Sequence, residues 1–80
     1  MHGREWISPP IVTWAIRKLT EDVTEPDLLN HIDWVLMPVA NPDGYVHSFS
    51  GRRFWRKNRS KSQPNDIFCP GVDTNRNFDI

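Results

Sequence analysis

Residues 32–39 are the part of this chain that most constrains its fold. They read Ile-Asp-Trp-Val-Leu-Met-Pro-Val, a short and almost continuously apolar stretch that is rich in branched and aromatic side chains. Strands covered on both faces by helices have this composition, whereas a strand with one solvated face alternates apolar and polar residues. Pro38 has no N–H to donate to a sheet, so we expect it at the end of the strand. The stretch predicts a buried β-strand of an α/β protein.

Helix signals precede this stretch. Ser8 is a suitable N-cap, and the two prolines after it are tolerated in a first helical turn because their missing N–H groups would have no partner there. Apolar residues then recur at helical spacing, with charged residues on the other side, which predicts a helix that ends near Asp22 or Val23. A second short helix is predicted from Pro26 to near Asn30. The recurring apolar residues of the first helix are Ile11, Trp14, Ala15 and Leu19.

Residues 41–44, Asn-Pro-Asp-Gly, admit two interpretations. Pro-Asp-Gly is a turn signature. Asn as N-cap, Pro at the first helical position and Asp in the first turn also begin a helix well. We favour a short helix from about Pro42 to Ser48. Residues 50–71 are rich in Gly, Pro, Ser and basic side chains and predict a long loop, which in a compact domain is usually functional or disordered.

Size and charge narrow the possible partners. Eighty residues allow one small domain at most. Ten basic and ten acidic residues give a formal net charge of zero, so no overall field attracts nucleic acid or a membrane surface. No apolar run is long enough to span a bilayer, and the first residues contain no apolar signal core. We therefore expect neither a nucleic-acid nor a membrane partner.

His2 and Glu5 are the first candidate site. A spacing of three residues puts both side chains on one face of a helical turn, or at a strand-to-helix junction. Imidazole and carboxylate groups are zinc ligands, and catalytic zinc sites typically combine three protein ligands with a water. Taken alone, the pair is more often a His and a Glu on a solvated surface.

Four segments, taken in order, resemble the pancreatic-type carboxypeptidase A/B family of zinc metallocarboxypeptidases. They are HGREWISP at 2–9, NPDGY at 41–45, RFWRKNRS at 53–60 and GVDTNRNF at 71–78. The resemblance runs nearly end to end. It implies an α/β fold in which this chain is a fragment of a mixed central sheet flanked by helices. Residues 1–80 would then be part of a peptidase catalytic domain that hydrolyses the C-terminal peptide bond of peptides and proteins.

The resemblance also implies a metal site. His2 and Glu5 would be ligands of one Zn²⁺ ion. Asp73 would accept a hydrogen bond from the free ring N–H of His2, which fixes the tautomer and raises the basicity of the ligand. The third ligand, a histidine, and the glutamate that acts as general base would lie beyond Ile80. We therefore expect the 80-residue chain to be inactive without the remainder of the catalytic domain.

Five further residues acquire substrate roles from the resemblance. Arg56 would stabilise the carbonyl oxygen that becomes negative when water attacks, since a guanidinium is always charged and presents several donors in a rigid fork. Asn75 and Arg76 would bind the free C-terminal carboxylate of the substrate. Arg4 and Arg53 would contact longer peptides. An extracellular, secreted location is implied as well.

The sequence is also compatible with two other functions. One is a catalytically inactive fragment that acts, if at all, as a binding or structural piece. The other is nucleic-acid binding through residues 52–61, where basic side chains are interleaved with Phe54 and Trp55. Cys69 either pairs with a cysteine further along, as the resemblance implies, or acts as a small buried hydrophobe. His31 and His47 are expected to be surface or structural residues, and the four tryptophans core or packing residues.

Overall fold

The computed structural model describes residues 1–61 and 68–79. Its helices in chain order are α1 (Ser8–Thr20), α2 (Asp27–Asn30) and α3 (Pro42–Phe49), followed by a 3-10 helix (Thr74–Arg76). The chain divides into two compact units. The first unit contains Met1–Trp6 and Val39–Ile80, and the second contains Ile7–Pro38. None of the helices found among the described residues is long and apolar enough to cross a bilayer.

The second unit contains the two helices predicted before residue 32. In α1 the N-cap position is held by Ile7, and Ser8 is the first helical residue, with no side-chain cap bond. The prolines at the next two positions favour helical φ, so the first turn begins one residue earlier than predicted. The helix ends at Thr20, before the predicted end. The short α2 ends at Asn30 as predicted and begins one residue after the predicted start.

Residues 32–39 form no strand, and the predicted mixed central sheet flanked by helices is wrong. The structure contains only helices and irregular segments over the residues that it describes. Val35 is 93% exposed and Met37 68% exposed, so the stretch is not covered either. A strand needs a neighbour to satisfy its N–H and C=O groups, and no such neighbour is present in residues 1–61 and 68–79. Trp14 and Trp34 are likewise exposed rather than core.

The first unit is organised around α3, which confirms the helical interpretation of residues 41–44. Asn41 caps this helix, because its side-chain oxygen accepts the Gly44 N–H at 3.0 Å. Its side-chain nitrogen donates to the Lys57 carbonyl at 3.1 Å. Asn41 is only 7% exposed, so one buried amide group both starts the helix and holds the following loop beside it.

The N-terminal segment crosses α3 where two glycines meet. A side-chain carbon on Gly3 would lie 2.6 Å from the carbonyl carbon of Gly44 and 3.1 Å from the carbonyl oxygen of Trp55. Only a residue without a side chain fits there. The Gly3 N–H donates to the Arg56 carbonyl at 3.3 Å. The crossing thus places residues 2–6 against the loop that follows α3.

Trp6 attaches the same segment to α3. Its indole N–H donates to the Ser48 hydroxyl at 2.7 Å. Its ring stacks on Phe49 with the centroids 4.4 Å apart, and Tyr45 meets Phe49 edge-on at 5.1 Å. These aromatic contacts fix the N-terminal segment to α3 within the first unit.

Residues 50–61 and 68–73 contain no helix or strand, as expected for the predicted loop, and residues 62–67 of that loop lie outside the described part. The 3-10 helix that follows was not predicted. Cys69 is exposed, so its interpretation as a buried hydrophobe is wrong. The Lys57 ammonium donates to its sulfur at 3.1 Å.

Candidate metal centre and its arginine partner

The His2 ring lies between two carboxylates. Its Nδ1 is 2.7 Å from Glu5 Oε1, and its Nε2 is 3.2 Å from Asp73 Oδ1. The Glu5 N–H donates to the His2 carbonyl at 3.2 Å, so a backbone turn brings the two side chains to one side, as their spacing predicts. The His2 side chain is 8% exposed, whereas that of Glu5 is 43% exposed and open to solvent.

The donor set around His2 suits a cation. A neutral imidazole has one N–H and one lone pair, and an ionised carboxylate only accepts hydrogen bonds. The contact with His2 lowers the pKa of Glu5, which favours its ionised form. If the ring N–H points from Nε2 to Asp73, the Nδ1 lone pair faces the Glu5 carboxylate, and only a proton or a metal ion can join them. One nitrogen and one carboxylate oxygen fit part of a zinc coordination shell.

A complete metal centre is not formed by the part of the chain that the structure describes. Residues 1–61 and 68–79 contain no group of three or more His, Cys, Asp or Glu side chains that could hold a metal ion. His47 packs edge-on against Trp55, with ring centroids 4.8 Å apart, in agreement with a structural role. Its pKa is lowered by burial first and then by the charges of Arg59 and Arg52.

Asp73 connects His2 to Arg56. The Arg56 Nε–H donates to Asp73 Oδ2 at 2.6 Å, while Oδ1 faces His2. The hydrogen bond from Arg56, helped by the Asn75 N–H, lowers the pKa of Asp73 to about 2. Asp73 is therefore ionised at neutral pH, with both oxygens acting as acceptors. The bond to Asp73 uses only one of the five N–H groups of the guanidinium.

Asn58 holds Asp73 in this position. Its side-chain oxygen accepts the Val72 N–H at 2.7 Å, and its own N–H donates to the Val72 carbonyl at 3.0 Å. A third bond joins the Gly71 N–H to the Ser60 carbonyl at 3.1 Å. No local sequence pattern indicates this role for Asn58, because an Asn inside a polar loop is common and the bond spans 14 positions.

Arg53 contacts the two residues that flank Glu5 in the sequence, Arg4 and Trp6. The Arg53 Nη1 donates to the Arg4 carbonyl at 2.8 Å, and the Arg53 guanidinium lies 3.9 Å from the centre of the Trp6 ring. The Arg4 side chain is exposed and makes no hydrogen bond or ion pair with the described residues. The structure thus brings these two arginines together through the backbone of one and the side chain of the other.

Asn75 and Arg76 lie in the 3-10 helix and are exposed. The Arg76 Nη1 donates to the Asn75 carbonyl at 2.8 Å. The Asn75 N–H donates to Asp73 Oδ1 at 3.1 Å, which ties the short helix to the carboxylate beside His2. Among the described residues no hydrogen bond joins either side chain to His2 or Glu5. Both are near the site through the backbone alone.

Comparison with known proteins identifies the family. The family model described as zinc carboxypeptidase matches residues 1–80. Carboxypeptidase B of Helicoverpa zea is 62% identical over 81 residues, which cover 100% of this chain and 19% of that protein. Carboxypeptidase A2 of Mus musculus is 47% identical over 83 residues, covering 99% of this chain and 19% of that protein.

A solved structure agrees. The crystal structure of the carboxypeptidase A from Helicoverpa armigera superposes with a TM-score of 0.88 at 58% identity, covering 96% of this chain and 19% of that one. The chain therefore spans about a fifth of the length of these relatives. The resemblance seen in its four motifs is confirmed: this chain belongs to the zinc carboxypeptidase family.

Proposed function

We propose that this chain supplies part of the active site of a zinc-dependent exopeptidase that removes C-terminal residues from peptides and proteins. The observation that carries the proposal is a continuous series of contacts. Glu5 meets His2 at 2.7 Å, His2 meets Asp73 at 3.2 Å, and Asp73 meets Arg56 at 2.6 Å. A single carboxylate thereby joins a pair of metal-binding groups to a cationic donor, a combination that suits metal-dependent hydrolysis of a peptide bond.

His2 and Glu5 would hold one Zn²⁺ ion, with a third ligand from outside the described residues. When bound, zinc polarises the attacking water and the substrate carbonyl. Asp73 keeps the His2 N–H on Nε2 and leaves Nδ1 for the metal. Arg56, oriented through its Nε by Asp73, presents its remaining N–H groups to the carbonyl oxygen, which becomes negatively charged only during attack.

The substrate in this proposal is a peptide or protein with a free C-terminal carboxylate. Arg76 would pair with both carboxylate oxygens and Asn75 would add a further donor, which confines cleavage to the chain end. Both side chains are exposed, so a substrate can reach them. The exposed Arg4 side chain would meet longer peptides. Arg53 keeps donors beyond its bond to the Arg4 carbonyl, so it can contact a longer peptide too.

The activity belongs to a larger catalytic domain, because residues 1–61 and 68–79 contain no group of three side chains that could hold a metal ion, and the chain spans about a fifth of the length of its relatives. We infer an extracellular location from the family resemblance alone. The inactive-fragment alternative applies to the 80 residues by themselves. Two contacts argue against nucleic-acid binding through residues 52–61. Arg56 is paired with Asp73, and the Arg59 guanidinium lies 4.7 Å from the Trp55 ring centre. These contacts leave fewer basic side chains available to bind the phosphates of a nucleic acid.

The test places this segment in a complete enzyme. In the segment-exchange protein, these 80 residues replace the matching segment of the Helicoverpa zea carboxypeptidase B, to which they are 62% identical. We expect it to bind one zinc ion and to release C-terminal residues. His2→Ala and Glu5→Gln should each lower both zinc affinity and activity by at least about 10-fold.

His31→Ala and Glu25→Gln are matched controls, because both residues are exposed and lie in the second unit. Neither change should affect zinc binding or activity. Retention of zinc and activity in the His2→Ala variant would overturn the ligand assignment. A folded, zinc-loaded exchange protein without peptidase activity would overturn the proposal that this segment supports catalysis in a complete domain.

A further inference from the structure

Arg53 touches the residues on both sides of Glu5. Its Nη1 donates to the carbonyl of Arg4, and its guanidinium carbon lies over the ring of Trp6, 3.9 Å from the centre. The hydrogen bond joins positions 49 residues apart in the sequence. Glu5 therefore ends a backbone turn that begins at His2, and the residues directly before and after Glu5 are both held by one side chain from a distant loop.

Both of these contacts are directional. A guanidinium has a flat face that stacks on aromatic rings and N–H groups that point outward in its plane, so it can stack and donate at the same time. Trp6 is itself immobilised by its bond to Ser48 at 2.7 Å and its stacking on Phe49 at 4.4 Å. Arg53 thus links the Arg4 carbonyl to Trp6, and Trp6 is in turn attached to Ser48 and Phe49 of α3.

We propose that Arg53 is a positioning residue that holds the turn of residues 4–6 so that the Glu5 carboxylate stays against His2. The inference rests on the proposed function, in which Glu5 is a zinc ligand. Glu5 needs such support because its side chain is 43% exposed and its one side-chain hydrogen bond in the described residues is to His2. Among the described residues no hydrogen bond or ion pair joins Arg53 to the side chain of Glu5 or His2, so in this proposal Arg53 acts through Arg4 and Trp6.

This role differs from a contact with substrate in one measurable way. A side chain that only binds the peptide has no effect on the protein when peptide is absent. A side chain that positions Glu5 changes the backbone protection near Glu5 even when neither metal nor peptide is bound. The deciding measurements are therefore zinc affinity and local backbone protection, both made without substrate.

The experiment uses the segment-exchange protein with Arg53→Ala, and Arg52→Ala as the control. Arg52 carries the same charge one position earlier, and its side chain makes no hydrogen bond, ion pair or ring contact with the described residues. We expect Arg53→Ala to weaken zinc binding by about 10-fold, the lower end of the effect of losing a partner of a metal ligand, and Arg52→Ala to leave it unchanged. In metal-free protein, hydrogen exchange of the Glu5 amide should become faster in Arg53→Ala only.

Arg53→Lys adds a test of the mechanism. It keeps the charge but cannot stack flat while donating in plane, so we expect zinc affinity to recover only partly. Full recovery would mean that charge alone matters and would overturn the proposal. The amides of α1 serve as an internal reference, and an equal rise in their exchange would reveal general destabilisation, which also counts against a positioning role.

The outcomes separate the two proposals. If Glu5→Gln leaves zinc affinity unchanged, the ligand assignment in the proposed function fails, while the Glu5 amide exchange still reports whether Arg53 holds the turn. If Glu5→Gln loses zinc but Arg53→Ala changes neither zinc affinity nor amide exchange, the positioning role alone is wrong.

Discussion

At the scale of single residues, several side chains in this protein perform two tasks at once. Asp73 caps the start of the 3-10 helix, because its side chain accepts a hydrogen bond from the Asn75 N–H. The same carboxylate also accepts hydrogen bonds from the His2 ring and from the Arg56 guanidinium. The same carboxylate therefore caps a helix and contacts the candidate site. Its low pKa, about 2, follows first from the Arg56 hydrogen bond and keeps both oxygens available as acceptors.

The role of Arg56 can be tested by kinetics in the segment-exchange protein. Because the oxygen that it would contact becomes charged only during attack, Arg56→Ala should lower kcat by about 10²–10³-fold with a smaller change in KM. Arg59→Ala is the control, since Arg59 lies against Trp55 and outside the proposed site. A rise in KM with unchanged kcat would assign Arg56 to ground-state binding instead.

Arg76 should behave in the opposite way. The carboxylate that it would bind is already charged in the substrate, so Arg76→Ala should raise KM strongly and reduce the preference for a free C-terminal acid over the corresponding amide. Steady-state kinetics on one peptide in both forms provides the comparison. The clamp role would have to be abandoned if the preference for the acid survived the substitution.

At the scale of secondary-structure elements, α3 is the frame of the first unit. Its cap residue binds the loop after the helix, its Gly44 meets the N-terminal segment, and its Ser48 and Phe49 hold Trp6. The residues around His2 and the residues around Arg56 are thus fixed to the same short helix. The geometry of the candidate site depends on this helix although no hydrogen bond joins the His2 side chain to it.

Asn41 provides a test of that dependence. Asn41→Ala removes the cap and leaves the Lys57 carbonyl without its donor, which should destabilise the segment-exchange protein by about 2–3 kcal/mol. Asn41→Ser keeps a cap but is too short to reach Lys57, so it should cost only about 1 kcal/mol. Denaturant unfolding measures both. Equal losses for the two variants would show that the bond to Lys57 carries most of the effect and the cap little.

At the scale of the whole molecule, the described residues bury few apolar side chains. No apolar residue in the part of the chain that the structure describes is fully buried. Large apolar side chains are instead exposed in both units, among them Ile11, Trp14, Val35, Met37, Phe54 and Phe68. Because apolar burial is the main source of folding free energy, these residues by themselves provide little to offset the loss of chain entropy.

The isolated 80-residue chain should therefore be poorly soluble or molten. We expect its thermal unfolding, followed by near-ultraviolet circular dichroism, to be broad or absent, whereas the segment-exchange protein should unfold cooperatively. Sharp, cooperative unfolding of a monomeric 80-residue chain would contradict this expectation.

Zinc binding should follow the same pattern. Two ligands near a chain end do not enforce a tetrahedral site, so calorimetry should find zinc affinity for the isolated chain at least about 100-fold weaker than for the segment-exchange protein. The residual affinity should fall further in His2→Ala. Tight binding that is insensitive to His2→Ala would place the metal elsewhere.

The amino-acid sequence by itself determined the family, the pairing of His2 with Glu5, and the start of α3 at Pro42. These depend on local signals, because caps, prolines and spacings of three residues act within one or two turns. The four motifs and their order identified the family without any knowledge of which residues are in contact.

Only the tertiary structure decided what brings the site together. The bond between Asn58 and Val72 spans 14 positions, and Arg53 and Arg4 are 49 positions apart, so no local rule relates the residues of either pair. The contact of His2 with Asp73, across 71 positions, was expected from the family resemblance and not from a local rule. The same limit explains the wrong strand at residues 32–39. Apolar composition reports which side chains favour burial, but a strand exists only when another segment completes its hydrogen bonds, and pairing is a property of the whole fold.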